Sequence, residues 1–458
     1  MWEGSVSVKP EQENNSITGI IETESGNIIF SAENFKFTFM NPDFSNKCVT
    51  IKADESGYIY GRTFDEKVIA IYSRENIEIN GTRILNTWNY IVSKQHMPKQ
   101  SVLSFDGIGF KNGAIKAIYP CNGLHKDIEK SSGNILAYRI EKDCKEYRLI
   151  HKEKSVIWQF TSVVNQRMSL EEGDSVSNSD AILHVIFNEE QKLSTFFDYY
   201  GYVCDLASFL TFRHNVSFEK VYLFHNIKIS DGYYHEEFAE CYVKRPDRVS
   251  QRKVVNIIPI RCVNDNVFDN IFQNIIKVDE KHKGLPLAIT PQDNADVWIV
   301  NVGKIRNICS ALEMELDLEG VRLSVNDEMK KLTNSIKEIV KEHRKGNNPL
   351  SDKMYDYIFS NISYWSQPLA ERAWEAWNQH EDEMKPFLRR YGISIEWDNI
   401  QTFVKARNNI THNGFMGISD DVSTTAFALI GLVYCCALKR MGMEPIEIKG
   451  VMEKRLFE

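Results

Sequence analysis

A chain of 458 residues exceeds what one hydrophobic core usually serves, so two domains are expected. Its 43% apolar and 26% charged content is that of a soluble globular protein. A formal charge of −8 argues against broad electrostatic capture of nucleic acid, although a local basic cleft is compatible with it.

Nine cysteines occur without any C-x-x-C pair, and Cys435-Cys436 sit together in an apolar stretch. That usage reads as reduced, buried thiols in the cytoplasm. The opening Met1-Trp2-Glu3-Gly4 has neither a basic start nor an apolar core, so no export signal is expected. The longest apolar run, Ala426 to Leu438, is shorter than the roughly 20 residues a bilayer span needs. No membrane association is expected.

In chain order, the first 190 residues or so alternate like strands. Short runs rich in β-branched and aromatic residues lie at Asn27–Phe30, Phe35–Phe39, Tyr58–Tyr60, Val68–Tyr72 and Val156–Phe160. Ser25-Gly26, Asn80-Gly81 and Asn112-Gly113 punctuate them as turn formers. This is the pattern of an antiparallel sandwich or barrel. Between Gln191 and His214 the period changes: Leu193, Phe196, Phe197, Tyr200, Val203 and Leu210 are spaced for a half-buried helix. Strands return at Val221–Phe224 and at Val254–Ile258. The charged, Pro-broken Lys244–Arg248 marks the end of this β-rich domain, placed at residues 1–250.

Residues 251–290 form a helical connector in which Val267, Ile271, Ile275 and Val278 share one face. Residues 291–458 read as an all-α bundle. Val302, Ile305, Ile308, Leu312 and Leu316 make one inward stripe, and Val325, Met329, Leu332, Ile336 and Ile339 another. Gly346–Pro349 breaks the chain. Helices near Met354–Ser363 and Pro368–Arg390 follow, then one at Asn399–His412 and one at Thr424–Met441. These lengths suit an antiparallel bundle, giving an α+β protein of two domains.

The helix Asn399–His412 carries the chemistry. Ile400, Phe403, Val404, Ile410 and Thr411 mark its packed face, and Arg407 falls in that stripe, where a permanent charge needs a partner or a polar cleft. Asn408 and His412 stand four apart and are neighbours on one face. Asn413-Gly414 supplies a helix stop, placing His412 in the last turn. A guanidinium, an amide and an imidazole are therefore gathered at one helix end. The guanidinium suits two phosphate oxygens, and the imidazole can take or give a proton near neutral pH. In the plainer reading, Arg407 pairs with a buried acid such as Glu313 and His412 only caps the helix.

The Arg-x-x-x-x-His spacing with Asn after the Arg resembles the signature of the HEPN superfamily of metal-independent ribonucleases. Ala311-Leu312-Glu313 on an earlier helix, and Gly19-Ile20-Ile21 through Ile28-Ile29-Phe30 near the start, resemble the ApeA-type HEPN proteins of bacterial phage defence. The resemblance implies an RNA endonuclease of an abortive-infection system with Arg407, His412 and Asn408 as catalytic residues and Glu313 behind them. It further implies no cofactor and no metal, a homodimer or higher oligomer completing the site, and a β-rich domain restraining the nuclease until a phage protein triggers it. The rival class is a non-catalytic binding protein whose bundle docks a partner and whose β-domain binds a protein or glycan.

Other clusters carry less. Lys341, Arg344, Lys345, Arg389 and Arg390 could line an RNA path, yet basic residues at helix ends commonly face water. Tyr233–Glu237 contains His and Glu but no matching second ligand group, so it reads as structural. Trp374 and Trp377, three apart on one helix, read as packing.

Overall fold

The structure, a computed structural model, describes residues 5–8, 17–21, 28–31, 49–51, 53–63, 67–73, 77–79, 82–85, 89–94, 104–120, 124–128, 135–139, 143–151, 153–169, 173–214, 216–230, 232–243, 257–276, 289–290, 299–323, 327–347, 349–365, 368–413, 418–454 and 456. The chain divides into two compact units, Met1–Thr211 with Asn215–Val263, and Phe212–His214 with Asn264–Glu458. The first is an antiparallel β region and the second is helical, the α+β arrangement expected.

Thirteen strands of the first unit form one antiparallel ladder. Its order is Asp143–His151, Lys154–Ser169, Gly173–Lys192, Ser104–Lys111, Lys220–Ile229, Gly232–Val243, Asn89–Ser93, Val68–Tyr72, Tyr58–Thr63, Ser5–Val8, Ile17–Ile21, Ile28–Ser31 and Thr82–Leu85. The runs expected at Tyr58–Tyr60, Val68–Tyr72, Val156–Phe160 and Val221–Phe224 lie in these strands. Phe35–Phe39, Ser25-Gly26 and Asn80-Gly81 lie outside the described residues, as does the segment Lys244–Arg248. Ile257 and Ile258, expected to end a strand, form a bend, where the Ile258 N–H donates to the Leu210 carbonyl at 3.0 Å.

Alternation fixes which face is packed. Val156, Trp158 and Phe160 are buried while Ile157 and Gln159 between them are half-buried, and Trp158 pairs in register with Val185. Asn112 and Gly113 both take positive φ, closing the end of a strand before the short helix α1 (Ala114–Ile118). Helix α2 (Ser194–Thr211) buries Phe196, Tyr199, Val203, Leu206 and Leu210, residues three or four apart, and Tyr199 meets Phe187 of the sheet edge-on at 4.7 Å.

The helical unit begins with α3 (Asp265–Ile276), where Val267 and Ile271 are buried as expected and Val278 lies outside the described residues. Helix α4 (Val302–Glu319) is capped by the Asn301 side chain, which accepts from the Lys304 N–H at 2.8 Å, and it stops at Gly320 in the left-handed region. It buries Ile305, Ile308, Leu312 and Leu316. Helices α5 (Asp327–Arg344) and α6 (Asp352–Trp365) form a hairpin about the Gly346–Pro349 break. Its stripe is covered only in part: Met329 and Ile336 are half-buried, Leu332 and Ile339 are exposed, and Val325 lies outside the described residues, because periodicity shows which side is apolar and not whether anything packs on it.

The single helix expected at Pro368–Arg390 is two, α7 (Leu369–Gln379) and α8 (Glu381–Tyr391). His380 takes a non-helical turn between them, and the acids Glu381, Asp382 and Glu383 restart the helix where its dipole favours negative charge. Trp377 is buried, and Trp374 packs edge-on against Trp397 at 6.3 Å, so both serve packing. Then come α9 (Trp397–Asn413), α10 (Asp420–Arg440) and α11 (Pro445–Met452), the last opened by a Glu444–Glu447 capping box. Among the described residues, α10 alone is long and apolar enough to cross a membrane by length and composition; its apolar window is 83% buried within the protein.

Glu315 of α4 is fully buried and its two carboxylate oxygens accept from Nε and Nη2 of Arg440, both at 2.8 Å. Burial pushes this carboxyl up and Arg440 offsets only part of the effect. Replacing Glu315 by Ala strands the Arg440 charge, and urea denaturation should register a loss of about 3–5 kcal/mol. A loss below about 1 kcal/mol would mean that the guanidinium finds water on its own.

Candidate active site on helix α9

Helix α9 is set by its own sequence. The Asn399 side chain accepts from the Glu396 N–H at 2.8 Å just before the helix, and Asp398 lies in its first turn. Ile400, Phe403 and Ile410 are buried, Val404 is half-buried, and the helix packs on α4, α7 and α10. The chain is helical through Asn413, as the Asn-Gly stop requires.

Arg407 sits at the margin of that packed face, with its side chain 32% exposed. Its Nη2 lies 3.4 Å from Oε1 of Glu313 on α4, and its Nη1 donates to Oδ1 of Asn408 at 3.1 Å. Glu313 is itself 41% exposed, whereas Ala311 and Leu312 beside it are buried and anchor that turn of α4. The structure therefore brings Arg407, Asn408 and Glu313 together. His412 lies in the last turn of α9; its side chain, with those of Thr411 and Asn413, is outside the described residues.

Two further residues of α4 belong to this corner. Arg306 directs Nη2 to the Ile410 carbonyl at 3.4 Å, placing a second cation at the C-terminal end of α9, where the helix dipole favours positive charge. The Cys309 thiol is buried and feels both the Arg407 and the Glu313 charges. Burial pushes it up to about 12, with Arg407 opposing and Glu313 reinforcing the shift, so it stays protonated and serves as packing. Arg306, Cys309 and Glu313 fall at helical spacing on one side of α4. That spacing was the available sequence signal for the first two.

No protein-family model, curated protein or solved structure matches the chain. The likeness to HEPN proteins therefore rests on the sequence pattern alone.

The other clusters are engaged elsewhere. Lys341 pairs with Glu338 at 2.7 Å, Arg344 pairs with Asp352, and Arg390 donates to the Glu453 carbonyl at 2.7 Å. In the sheet, Nδ1 of His235 meets Oδ1 of Asn226 at 2.8 Å and Glu237 bridges Lys94 and Lys220, a structural network. Near Arg407 the described residues offer no grouping of metal-binding side chains; the one such grouping lies farther along α4.

A half-exposed pair of this length is worth less than about 1 kcal/mol, since solvent screens it. Glu313→Gln should accordingly move the unfolding midpoint by no more than a few degrees, read by thermal denaturation. A larger fall would show that Glu313 holds the fold rather than the guanidinium.

Proposed function

We propose that the chain is a HEPN-type RNA endonuclease, acting without a metal in an abortive-infection response, in the cytoplasm and as a homodimer or larger assembly. The observation that carries this reading is Arg407 at the helix margin, solvent-accessible and oriented by Glu313 and Asn408 rather than sealed in the core.

The chemistry follows from the groups present. His412, one turn beyond Asn408, takes the proton of an RNA 2′-hydroxyl, and the 2′-oxygen attacks the adjacent phosphorus. The 5′-oxygen leaves with a proton delivered by an imidazole, that of a second protomer in the assembled site. The products are a 2′,3′-cyclic phosphate and a 5′-hydroxyl. Arg407 holds the charge that builds on the phosphoryl oxygens, where a bidentate guanidinium is most effective. Its weak contact with Glu313 yields to a phosphate at little cost, because both groups are already solvated. Asn408, exposed on the same surface, orients the imidazole or the phosphate. With a net charge of −8, binding is local and selective rather than a long-range capture of polyanions. An unrestrained ribonuclease would poison its host, so the β-rich unit is assigned the restraint, released by a phage protein.

A second reading has one observation in its favour. Leu332, Ile339, Met354 and Tyr357 on the α5–α6 hairpin are exposed, as they would be if the bundle were a non-catalytic docking module.

Substitution separates the two. Arg407→Ala and His412→Ala should each lower cleavage of cellular RNA by about 10²–10⁴-fold in chelator, with the circular dichroism spectrum and the oligomeric state unchanged. A 2′-deoxy nucleotide at the cut site should block the reaction. Full activity in both variants, or cleavage of the deoxy substrate, would remove this site and this chemistry, and no cleavage by the unmodified chain would leave the docking reading.

A further inference from the structure

Helix α4 carries a further acid inside the helical unit. Six residues on from Glu313, roughly 9 Å along the axis, Glu319 meets His380 of the α7–α8 turn and Cys436 of α10. Their donor atoms all lie within 4.8 Å of one another. We propose that Glu319, His380 and Cys436 bind one divalent transition-metal ion of the zinc type inside the helical unit.

Burial makes the trio unusual. His380 and Cys436 are fully buried and the Glu319 side chain is 10% exposed. Buried polar atoms normally find partners, because leaving one unmade costs its lost hydration. Yet Oε2 of Glu319 and Nδ1 of His380 have no hydrogen-bond partner among the described residues. Oε1 of Glu319 is served by Nε2 of His380 at 3.2 Å and by Nζ of Lys439 at 3.1 Å. A carboxylate and an imidazole, each with one unsatisfied atom, thus lie beside a thiol.

The donor set selects the ion. One oxygen, one nitrogen and one sulfur suit zinc or cobalt, whereas magnesium and calcium require oxygen ligands. Three protein donors leave a fourth position for water. Charge also balances: a carboxylate and a thiolate together cancel a divalent cation, as a low-dielectric interior demands. The neighbouring acid, Glu315, is already neutralised by Arg440.

In the metal-free chain the Cys436 thiol is protonated, pushed up by burial and by the nearby Glu319. Burial also pushes the Glu319 carboxyl up, but His380 and Lys439 outweigh it and hold it below its ordinary range. Lys439 thus supplies the positive charge that the ion would bring. Its side chain is 47% exposed and can turn outward. Loading the site then releases the thiol proton to solvent and frees Lys439. The ribonuclease site needs no such ion, so the two proposals stand or fall separately.

Titration of the metal-stripped full chain with cobalt(II) tests this. One equivalent should produce a near-ultraviolet thiolate-to-cobalt charge-transfer band with visible bands of a four-coordinate centre, both displaced by zinc. Zinc at a hundredfold excess over Kd should raise the unfolding midpoint by roughly 5–10 °C. Cys436→Ser should abolish the charge-transfer band. Lys439→Met, a change on a half-exposed side chain that leaves folding intact, should tighten cobalt binding roughly fivefold by removing the competing cation. No charge-transfer band in the wild type, its survival in Cys436→Ser, or unchanged affinity in Lys439→Met would overturn the proposal.

Discussion

The pairing of acids on α4 with bases from other helices is the constraint on which the helical unit depends. Glu315 meets Arg440 of α10 in full burial, Asp317 accepts from Arg372 of α7 at 2.7 Å, Glu319 meets His380 and Lys439, and Glu313 meets Arg407 of α9. Apolar packing draws these helices together but is nearly indifferent to rotation of one about its axis. A buried carboxylate is not indifferent, because misplacing it strands two charges where water cannot reach them. The sealed Glu315–Arg440 pair therefore acts as a rotational stop between α4 and α10, whereas the half-exposed Glu313–Arg407 pair leaves α9 to be held by apolar packing.

That frame gives the α9 margin its character. From Glu315 to Glu313 the same helix passes from a sealed ion pair to one in contact with solvent. The first is a fixture, whereas the second holds a guanidinium loosely enough to exchange partners. Ion pairs of unlike burial on one helix thus yield a rigid interior and a responsive edge from the same chemical groups.

How far this could be read from the residues varied by element. The half-buried strands and the helices α2, α3, α4, α9 and α10 announced themselves, because alternation and helical spacing are local and survive any tertiary context. The strand Gly173–Lys192 did not, since it opens on Gly, Asp, Ser and Asn and only its later half, from Ala181, shows the alternation of a strand. The turn at His380 is not legible either, as nothing in Asn378–Glu381 breaks helical propensity outright. Arg407, Asn408 and Glu313 were legible as a group through spacing and resemblance. Glu319, His380 and Cys436 were not, because two helices and an interhelical turn supply one side chain each and no local spacing records the meeting.

The tripeptide Phe212–His214 belongs to the helical unit although the chain on either side of it belongs to the β-rich one. Phe212, fully buried with positive φ, lays its ring 4.6 Å from that of Tyr434, and Arg213 donates to the Leu456 carbonyl at 2.6 Å. A fragment beginning at Asn264 would lack that ring and leave a void beside α10, a defect of about 3–5 kcal/mol by analogy with truncating a core phenylalanine. The bundle is thus keyed by a plug threaded in from an earlier part of the polypeptide. A part of the helical unit's core is therefore already synthesised before any of its own helices is.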